Sequence, residues 1–564
     1  MTELLIKEGN FNGVIIDIET DDLYPDATTI HCIVCKELST GKIIKFTDNY
    51  NSFINYCKTN NLYFIGHNII SFDLRIIRKL LNYAHPITKT IDTLILSQLS
   101  NPIRDGGHSL KSWGIRLGYP KTEPPSNNFD RFSEELVTYC INDVELTHKL
   151  FNHLINSEEE LAKFSESSIK REHLFRYLMD KQEDNGFYFD LPLATLLLAK
   201  ITDTYIKIEN DLKEIFPPTI VKLKTKTKII PFNPNSRQQI GNHLKNLGWE
   251  PTAFTDKGNV IVNEVVLNSI TDIPEAKLCK EYLLLQKRSA QIKSWIKFCD
   301  PNTSRIYGNV RTLGTVSTRC SHNNPNVAQT PSVHSPFGKE CRACWTVEDK
   351  DTNVLVGCDA NSLELRVLAH YMKDKKYINE ILNGDIHSIN QKLTGLATRD
   401  QAKTFIYALM YGAGSPKIAK ILNKDLIVAK IIRDRFLGAV PALEKLLTSV
   451  NACARKNRKL RALDGRYLHV RSLHSALNVL IQGGGAIICK DWLIQIMKEV
   501  YKRKLDVKPI ANIHDEIQFE VNKNQAEELG IITQDSLKQT EKELQLCCPL
   551  DSDYKIGTSW SDTH

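Results

Sequence analysis

Val354-Leu355-Val356-Gly357-Cys358-Asp359 is an apolar run that ends in a carboxylate, with Ser362, Glu364 and Arg366 close behind it. Such a run predicts a buried strand that delivers Asp359 to its open end. Far along the chain, Ile510 to Val521 contains Ile513-His514-Asp515-Glu516-Ile517, an acidic turn between two apolar strands. Two aspartates brought together from distant strands can hold a pair of magnesium ions, and the chemistry of such a pair is in-line phosphoryl transfer. Between them stand Arg399, Lys403, Tyr407 and Tyr411, with Gly412 next. The four-residue step sets these side chains along one helical stripe. Two cations at one end suit a triphosphate, and two tyrosines at the other offer flat surfaces to a base and a sugar. Alone, this helix reads as an ordinary amphipathic one with a basic edge. The flanking aspartates change that reading.

Working outward, Gly13-Val14-Ile15-Ile16-Asp17-Ile18-Glu19 predicts a second buried strand with acids near its end. Asp17 and Glu19, at i and i+2, share one face of it. Asn68 and Phe72-Asp73 follow, then Tyr139 and Asp143, which at i and i+4 share one face of a helix. Each acid alone reads as a solvated carboxylate at the end of an element. Taken together, four carboxylates and a tyrosine fit two-metal phosphodiester hydrolysis at an oxygen-rich magnesium or manganese site. Strand and helix patterns alternate to about residue 150, as in an α/β domain, and Tyr119-Pro120 through Pro124-Pro125 reads as a surface loop within it.

The 564 residues allow two to four domains, and 42% hydrophobic with 25% charged residues excludes disorder as the main state. A net charge of +7 permits a nucleic-acid partner without demanding one. Residues 1–12 hold no apolar run of signal-peptide length, and no stretch is expected to reach the length of a membrane span. The fourteen cysteines read as free thiols. Cys32/Cys35 and Cys341/Cys344 form CxxC pairs too far apart for one zinc ribbon, and the first pair sits in a strand-like run. No repeat of solenoid length is visible.

Three stretches resemble motifs A, B and C of family A DNA polymerases: Asp359-Ala360-Asn361-Ser362-Leu363-Glu364-Leu365-Arg366, Arg399 to Gly412, and His514-Asp515-Glu516. The N-terminal set resembles the three exonuclease motifs of the DEDD superfamily, tyrosine subtype. Further stretches, Gly106-Gly107-His108-Ser109-Leu110-Lys111, Gly384-Asp385-Ile386-His387 and Leu463-Asp464-Gly465-Arg466, are similar to replicative polymerases of short-tailed phages. The resemblance implies an α/β fold with a 3′→5′ exonuclease domain at 1–160 and a right-hand polymerase at 161–564. The thumb is expected at about 165–300, the fingers at about 386–455, and the palm in the remainder.

The resemblance also implies roles. Asp359 and Asp515 would be catalytic metal ligands, with the Ala360 carbonyl assisting and Glu516 beside them in the same catalytic motif. His387, Arg399 and Lys403 would grip the triphosphate, Tyr407 would pack beside its sugar, and Glu364 would close the pocket against a 2′-hydroxyl. Tyr411 would stack near the templating base, while Arg319, Asn478, Gln482 and His514 would touch the primer–template. Such minor-groove contacts check pair geometry rather than read sequence. In the exonuclease, Asp17, Glu19, Asp73 and Asp143 would be metal ligands and Tyr139 would orient the attacking water. Cofactors would be two magnesium ions at each site, with manganese as a substitute. Partners would be primer–template DNA and deoxynucleoside triphosphates, with a phage helicase–primase and a single-stranded DNA-binding protein, in the host cytoplasm, as a monomer and away from membranes. No 5′-nuclease domain precedes the exonuclease motifs, which suits replication better than repair.

Two rivals stand beside this reading. A single-subunit RNA polymerase would share the aspartates and the Arg–Lys–Tyr-Gly helix, but Glu364 occupies space a ribonucleotide needs. A DNA-binding or exonuclease protein with a decayed polymerase half should have lost a ligand, and none is missing. Phage relatives that use thioredoxin as a clamp carry a long thumb insertion before a segment resembling Phe232-Asn233-Pro234-Asn235-Ser236-Arg237, and only Pro217 to Pro231 stands here. Thioredoxin dependence is therefore not expected. In that place Lys222, Lys224, Lys226 and Lys228 alternate with other residues, so one face of a strand could track a phosphate backbone. Lysines on an edge strand also block aggregation, which accounts for them equally well.

Overall fold

Ile16 and Ile18 are buried on the strand Gly13–Thr20, the middle strand of a five-stranded mixed sheet. The order is Ile43–Phe46, Ile30–Glu37, Gly13–Thr20, Tyr63–Gly66, Thr90–Asp92. Ile30–Glu37 pairs antiparallel with the middle strand and Tyr63–Gly66 pairs parallel with it. The long helix Glu134–Asn156 packs across the sheet, with Ser133 capping its first turn. Cys32 and Cys35 are buried in the strand beside Glu19 and Ile16. The computed structural model describes the chain except residues 1–11, 124–128, 158–164, 223–226 and 256.

Two compact units are formed. The first takes in the five-stranded sheet, the helix Glu166–Asn185, Asn309–His322 and Val356–Ile556. Its second sheet has the order Val507–Ile513, Glu516–Asn522, Asn353–Ala360, Ser552–Gly557. Against it lies Ala476–Arg503, whose hydropathy is high enough for a membrane span, contrary to the expectation that no stretch would be. The reason is its position: 94% of the apolar window is buried inside the protein, so the helix is apolar all round because other elements surround it.

The helix Glu166–Asn185 ties the first unit together. On the side of the five-stranded sheet, Arg75 pairs with Asp184 at 2.5 Å and Glu183 at 3.3 Å, and Arg78 with Asp184 at 2.8 Å. His173 Nε2 accepts the Asp92 N–H at 2.8 Å. On the other side, Glu172 receives Arg466 at 2.6 Å and Lys490 at 2.8 Å, while Arg171 reaches Asp464 at 2.8 Å and Asp491 at 3.0 Å. Three cations and three carboxylates are thus buried together, and the charges balance. Ion pairs so buried are costly to form and costlier to break on one side, which makes the set a fastening specific to one arrangement.

The second unit comprises Gly186–Gly308, Asn323–Leu355 and Gly557–His564. Helices Leu191–Ile215 and Pro274–Phe298 pack together in it. Phe189, Trp295, Trp345 and Trp560 form an aromatic core with ring centroids 5.0–6.3 Å apart. The lysine-dotted segment is a hairpin rather than one strand: Thr219–Lys222 runs antiparallel to Thr227–Ile230, with Val221 opposite Lys228. Lys222 and Lys228 therefore stand on opposite strands of a pair rather than along one strand. Lys228 is exposed, Lys224 and Lys226 lie outside the described residues, and so does the side chain of Lys222.

Candidate active sites

The middle strand carries Asp17 and Glu19 to one end of the five-stranded sheet, where their carboxylates and the Cys140 thiol lie within 4.8 Å of one another. Cys140 donates to the Asp17 carboxylate at 3.6 Å from the helix Glu134–Asn156. Asp73 opens the helix Asp73–Leu81 after a turn in which Asn68 has φ 63°. That turn is fixed by Asp92, which accepts from the backbone N–H of Asn68 at 2.9 Å and of Ile70 at 3.3 Å. Tyr139, next to Cys140, and Asp143, one turn further, share one face of the long helix, as the spacing predicts.

Electrostatics single out this cluster. Glu19, Asp73 and Asp143 are each less than one-tenth exposed. Burial, then the Asp143 charge, pushes Asp17 up to about 7; burial, then Asp17 and Asp143, pushes Glu19 up to about 10. Burial, then Asp17, holds Asp73 well above the usual range, and burial raises Asp143 against the pull of Lys121. Asp73 Oδ1 and Asp143 Oδ1 are buried without a hydrogen-bond partner. Carboxylates resist ionisation here, and two oxygens lack donors. A divalent cation corrects both faults, and an all-oxygen donor set suits magnesium or manganese. Lys121, on no motif, sets its Nζ 2.5 Å from Asp143 Oδ2 and 4.8 Å from the Tyr139 ring centroid.

The second site lies at the edge of the other sheet. Asp359 stands exposed near the end of Asn353–Ala360, and Asp515 sits in the turn between the paired strands Val507–Ile513 and Glu516–Asn522. The Ala360 N–H donates to the Asp515 carbonyl at 3.1 Å, which locks the two strand ends side by side. Burial raises the Asp515 carboxyl. Glu516 is buried instead and accepts from Gln518 at 2.8 Å, so its side chain belongs to the sheet interior. His514 has φ 58°, the bend that turns it and Asp515 toward the same edge.

Helix Arg399–Met410 is capped by Thr398, which accepts from Gln401 N at 3.2 Å. Along it Arg399 and Lys403 are exposed and Tyr407 is half-buried. The Tyr407 and Tyr411 rings are 6.2 Å apart, and His387 lies 6.3 Å from Tyr407. His387 is buried with an unpartnered Nδ1, and burial, then Arg399 and Lys403, lowers its pKa. Arg399 is held in a two-point clasp by Asp385, at 2.6 and 3.1 Å. Asp385 also caps the helix Ile386–Thr394, accepting from His387 N at 3.1 Å, so one carboxylate sets both His387 and Arg399. Arg399, chiefly, holds that carboxyl well below the usual range.

Glu364 is held from two sides: Arg319 donates to Oε1 at 2.8 Å and the Tyr411 hydroxyl to Oε2 at 3.0 Å. Gly412 has φ 75°, and a Cβ there would lie 1.6 Å from the His474 carbonyl oxygen. Asn478 and Gln482 share one face of the buried helix, and the Asn478 Oδ1 has no partner. Arg319, Asn512, Ala486 and His514 line one crevice. Of the expected residues, Glu516 turns its side chain into the sheet interior beside the second cluster, and Lys222 and Lys228 lie on the two strands of the hairpin in the other unit. Lys121, Asp385 and Asp92 were not singled out by the sequence; Asp385 alone lay in a stretch that marked it.

The profile of DNA polymerase family A matches residues 204–562. The DNA-directed DNA polymerases of Enterobacteria phage T3 and Escherichia phage T7 are each 30% identical to the chain, covering 98% of it and 100% of their own length. A solved structure, the POL domain of Pol1 from M. smegmatis in complex with DNA primer-template and dNTP, is similar in fold at a TM-score of 0.80 and 17% identity. That match covers 98% of this chain and 96% of the other.

Proposed function

The chain belongs to DNA polymerase family A and is a DNA-directed DNA polymerase, and from that premise we propose that it also carries a 3′→5′ proofreading exonuclease at its N-terminal acid cluster. We assign the exonuclease to residues 1–160 and the polymerase to residues 161–564. One observation carries the second activity: Asp17, Glu19, Asp73 and Asp143 converge from separate elements, and two of their buried oxygens have no partner. A merely structural acid cluster would find donors, as neighbouring Asp92 does.

In the polymerase site, Asp359 and Asp515 with the Ala360 carbonyl would hold two magnesium ions. Those ions supply the charge that lets a primer 3′-hydroxyl displace pyrophosphate from a deoxynucleotide α-phosphate. The protein's own work is positioning. Arg399 and Lys403 lie one turn apart on an exposed stripe and meet the phosphates, with His387 beside them. Tyr407 packs beside the sugar and Tyr411 near the templating base. Glu364, immobilised by Arg319 and Tyr411, presents a carboxylate that a 2′-hydroxyl must displace. Asn478, Gln482 and His514 face the primer–template.

In the exonuclease site, Asp17, Glu19, Asp73 and Asp143 would hold the divalent ions, which supply Lewis acidity for hydrolysis. Tyr139 directs a water at the terminal phosphodiester, and three of the four acids are buried. Neither rival reading survives as well: the full-length relatives make DNA, and no ligand of either cluster is missing.

The test is a primer with a mismatched, labelled 3′ end. Excision before extension is expected from the unaltered enzyme in magnesium and is expected to vanish in Asp17→Ala/Glu19→Ala. Extension directly from the mismatch, with no loss of label, would withdraw the proofreading assignment.

A further inference from the structure

Lys121 is the one cation placed within the N-terminal acid cluster among the described residues, and no motif accounts for it. Its backbone is anchored. The Tyr119 N–H donates to the Gly114 carbonyl at 2.9 Å. A Cβ on Gly114 would sit 2.7 Å from the Tyr119 carbonyl and 2.9 Å from the Lys121 nitrogen, so the segment lies directly on the helix Leu110–Arg116. The side chain is 23% exposed and Asp143 only 5%. From there the ammonium contacts Asp143 Oδ2 at 2.5 Å, lies over the Tyr139 ring and is within hydrogen-bonding reach of its hydroxyl. A surface lysine drawn idly to acids would not lie pinned at its backbone and shared between two side chains of opposite function.

We propose that Lys121 is a positioning residue of the exonuclease: its ammonium fixes Tyr139 against Asp143 and gives the acid cluster a permanent positive charge that divalent ions must share. The proposal rests on the exonuclease reading above. Two consequences follow from its geometry. Lys121 occupies one oxygen of Asp143, so it competes with a metal ion for that ligand, and removing the charge should tighten metal binding. Lys121 also sets the direction of the Tyr139 hydroxyl, so removing it should slow turnover without loosening the grip on DNA. Opposite changes in metal affinity and turnover are a signature that loss of folding does not produce.

The experiment uses the full chain with Asp359→Asn/Asp515→Asn, which leaves the exonuclease cluster as the metal site. Manganese is titrated and the free ion read by electron paramagnetic resonance, for this protein and for its Lys121→Gln and Lys121→Arg forms. Excision of single-stranded DNA gives kcat and KM. Expected for Lys121→Gln are manganese binding at least ~3-fold tighter, kcat lower by ~10-fold or more, and KM little changed. Lys121→Arg, which keeps the charge, should recover manganese affinity and part of kcat. Unchanged affinity and kcat in Lys121→Gln would return Lys121 to a surface role. A fall in manganese affinity together with a lower melting temperature would make it a structural residue and overturn the proposal as well. Absence of excision by the unaltered protein, with manganese still bound, would refute the exonuclease reading instead, and tighter binding in Lys121→Gln would still establish that Lys121 competes for the ions.

Discussion

Tyr411 and Glu364 are joined by a hydrogen bond of 3.0 Å, and the other Glu364 oxygen is taken by Arg319 at 2.8 Å. Both oxygens of the carboxylate are therefore held in place. Burial, then Glu364, pushes the Tyr411 hydroxyl up to about 12, so it remains a protonated donor throughout the neutral range. Glu364→Ala is expected to admit ribonucleotides more readily, by ~10-fold or more, the worth of a hydrogen bond to a charged group. Tyr411→Phe, which frees one oxygen only, should shift selection in the same direction by less. Competition between ribo- and deoxynucleotides in single-turnover extension measures both, and unaltered selection in Glu364→Ala would remove the residue from the sugar check.

The two acid clusters should fail separately. Asp515→Asn subtracts a charge at the sheet edge beside Ala360 and touches nothing in the N-terminal cluster. It should lower polymerisation by ~10²-fold or more while excision persists. Asp17→Ala with Glu19→Ala should do the reverse. Near-normal primer extension by Asp515→Asn would show that the sheet-edge assignment is wrong.

Gly412 ends the helix that carries Arg399, Lys403 and Tyr407, and the His474 carbonyl fills the space beside its Cα. Gly412→Ala must relieve both a positive φ and a backbone collision, at a cost of ~1–3 kcal/mol or more. Tyr411 would move with it. The expected outcome is a lower melting temperature and a raised KM for deoxynucleotides in steady-state extension. A variant that melts and binds nucleotide as the parent does would mean that the backbone here adapts more freely than its packing suggests.

Glu172 neutralises two buried cations, Arg466 and Lys490, at once. Glu172→Gln keeps the shape and removes the charge, leaving both cations with less compensation. Breaking a buried pair on one side costs ~3–5 kcal/mol. Urea unfolding of the purified chain should show a loss of that order, with little change in the slope of the transition. An unchanged midpoint would show that solvent already reaches the network.

What the sequence made legible follows from what is local. Asp17 and Glu19, Tyr139 and Asp143, and the stripe from Arg399 to Tyr407 obey the two- and four-residue periods of strand and helix, and each lies on the expected element. Lys121 was not legible, because its partner Asp143 lies on another element and a loop has no period. The same holds for Glu172, whose partners are some 300 residues away. The lysine segment from Val221 misled for the opposite reason: alternation predicted one strand, and no glycine or proline between Lys222 and Thr227 announces the break between the two paired strands.

That hairpin bears on what keeps the enzyme on DNA. Between Ile215, where one long helix ends, and Phe232, the described residues form only this short pair of strands. The alignment with the T7 relative runs over 705 residues against 564 here, so that relative carries insertions this chain lacks. Added thioredoxin is expected to leave product length per binding event unchanged. Longer products on its addition would overturn this expectation.

The helix Glu166–Asn185 has a consequence for how the enzyme can be divided. It gives one flank to Arg75 and Arg78 and the other to Arg466 and Lys490, so neither neighbour ends where the chemistry changes. A cut near residue 160 would take Arg75 and Arg78 away from Asp184 and leave Asp180 and Glu183 to Arg176 alone. Discarding the front of the gene is therefore expected to cost the remainder stability as well as the acid cluster. Changing the acids one at a time leaves that fastening whole.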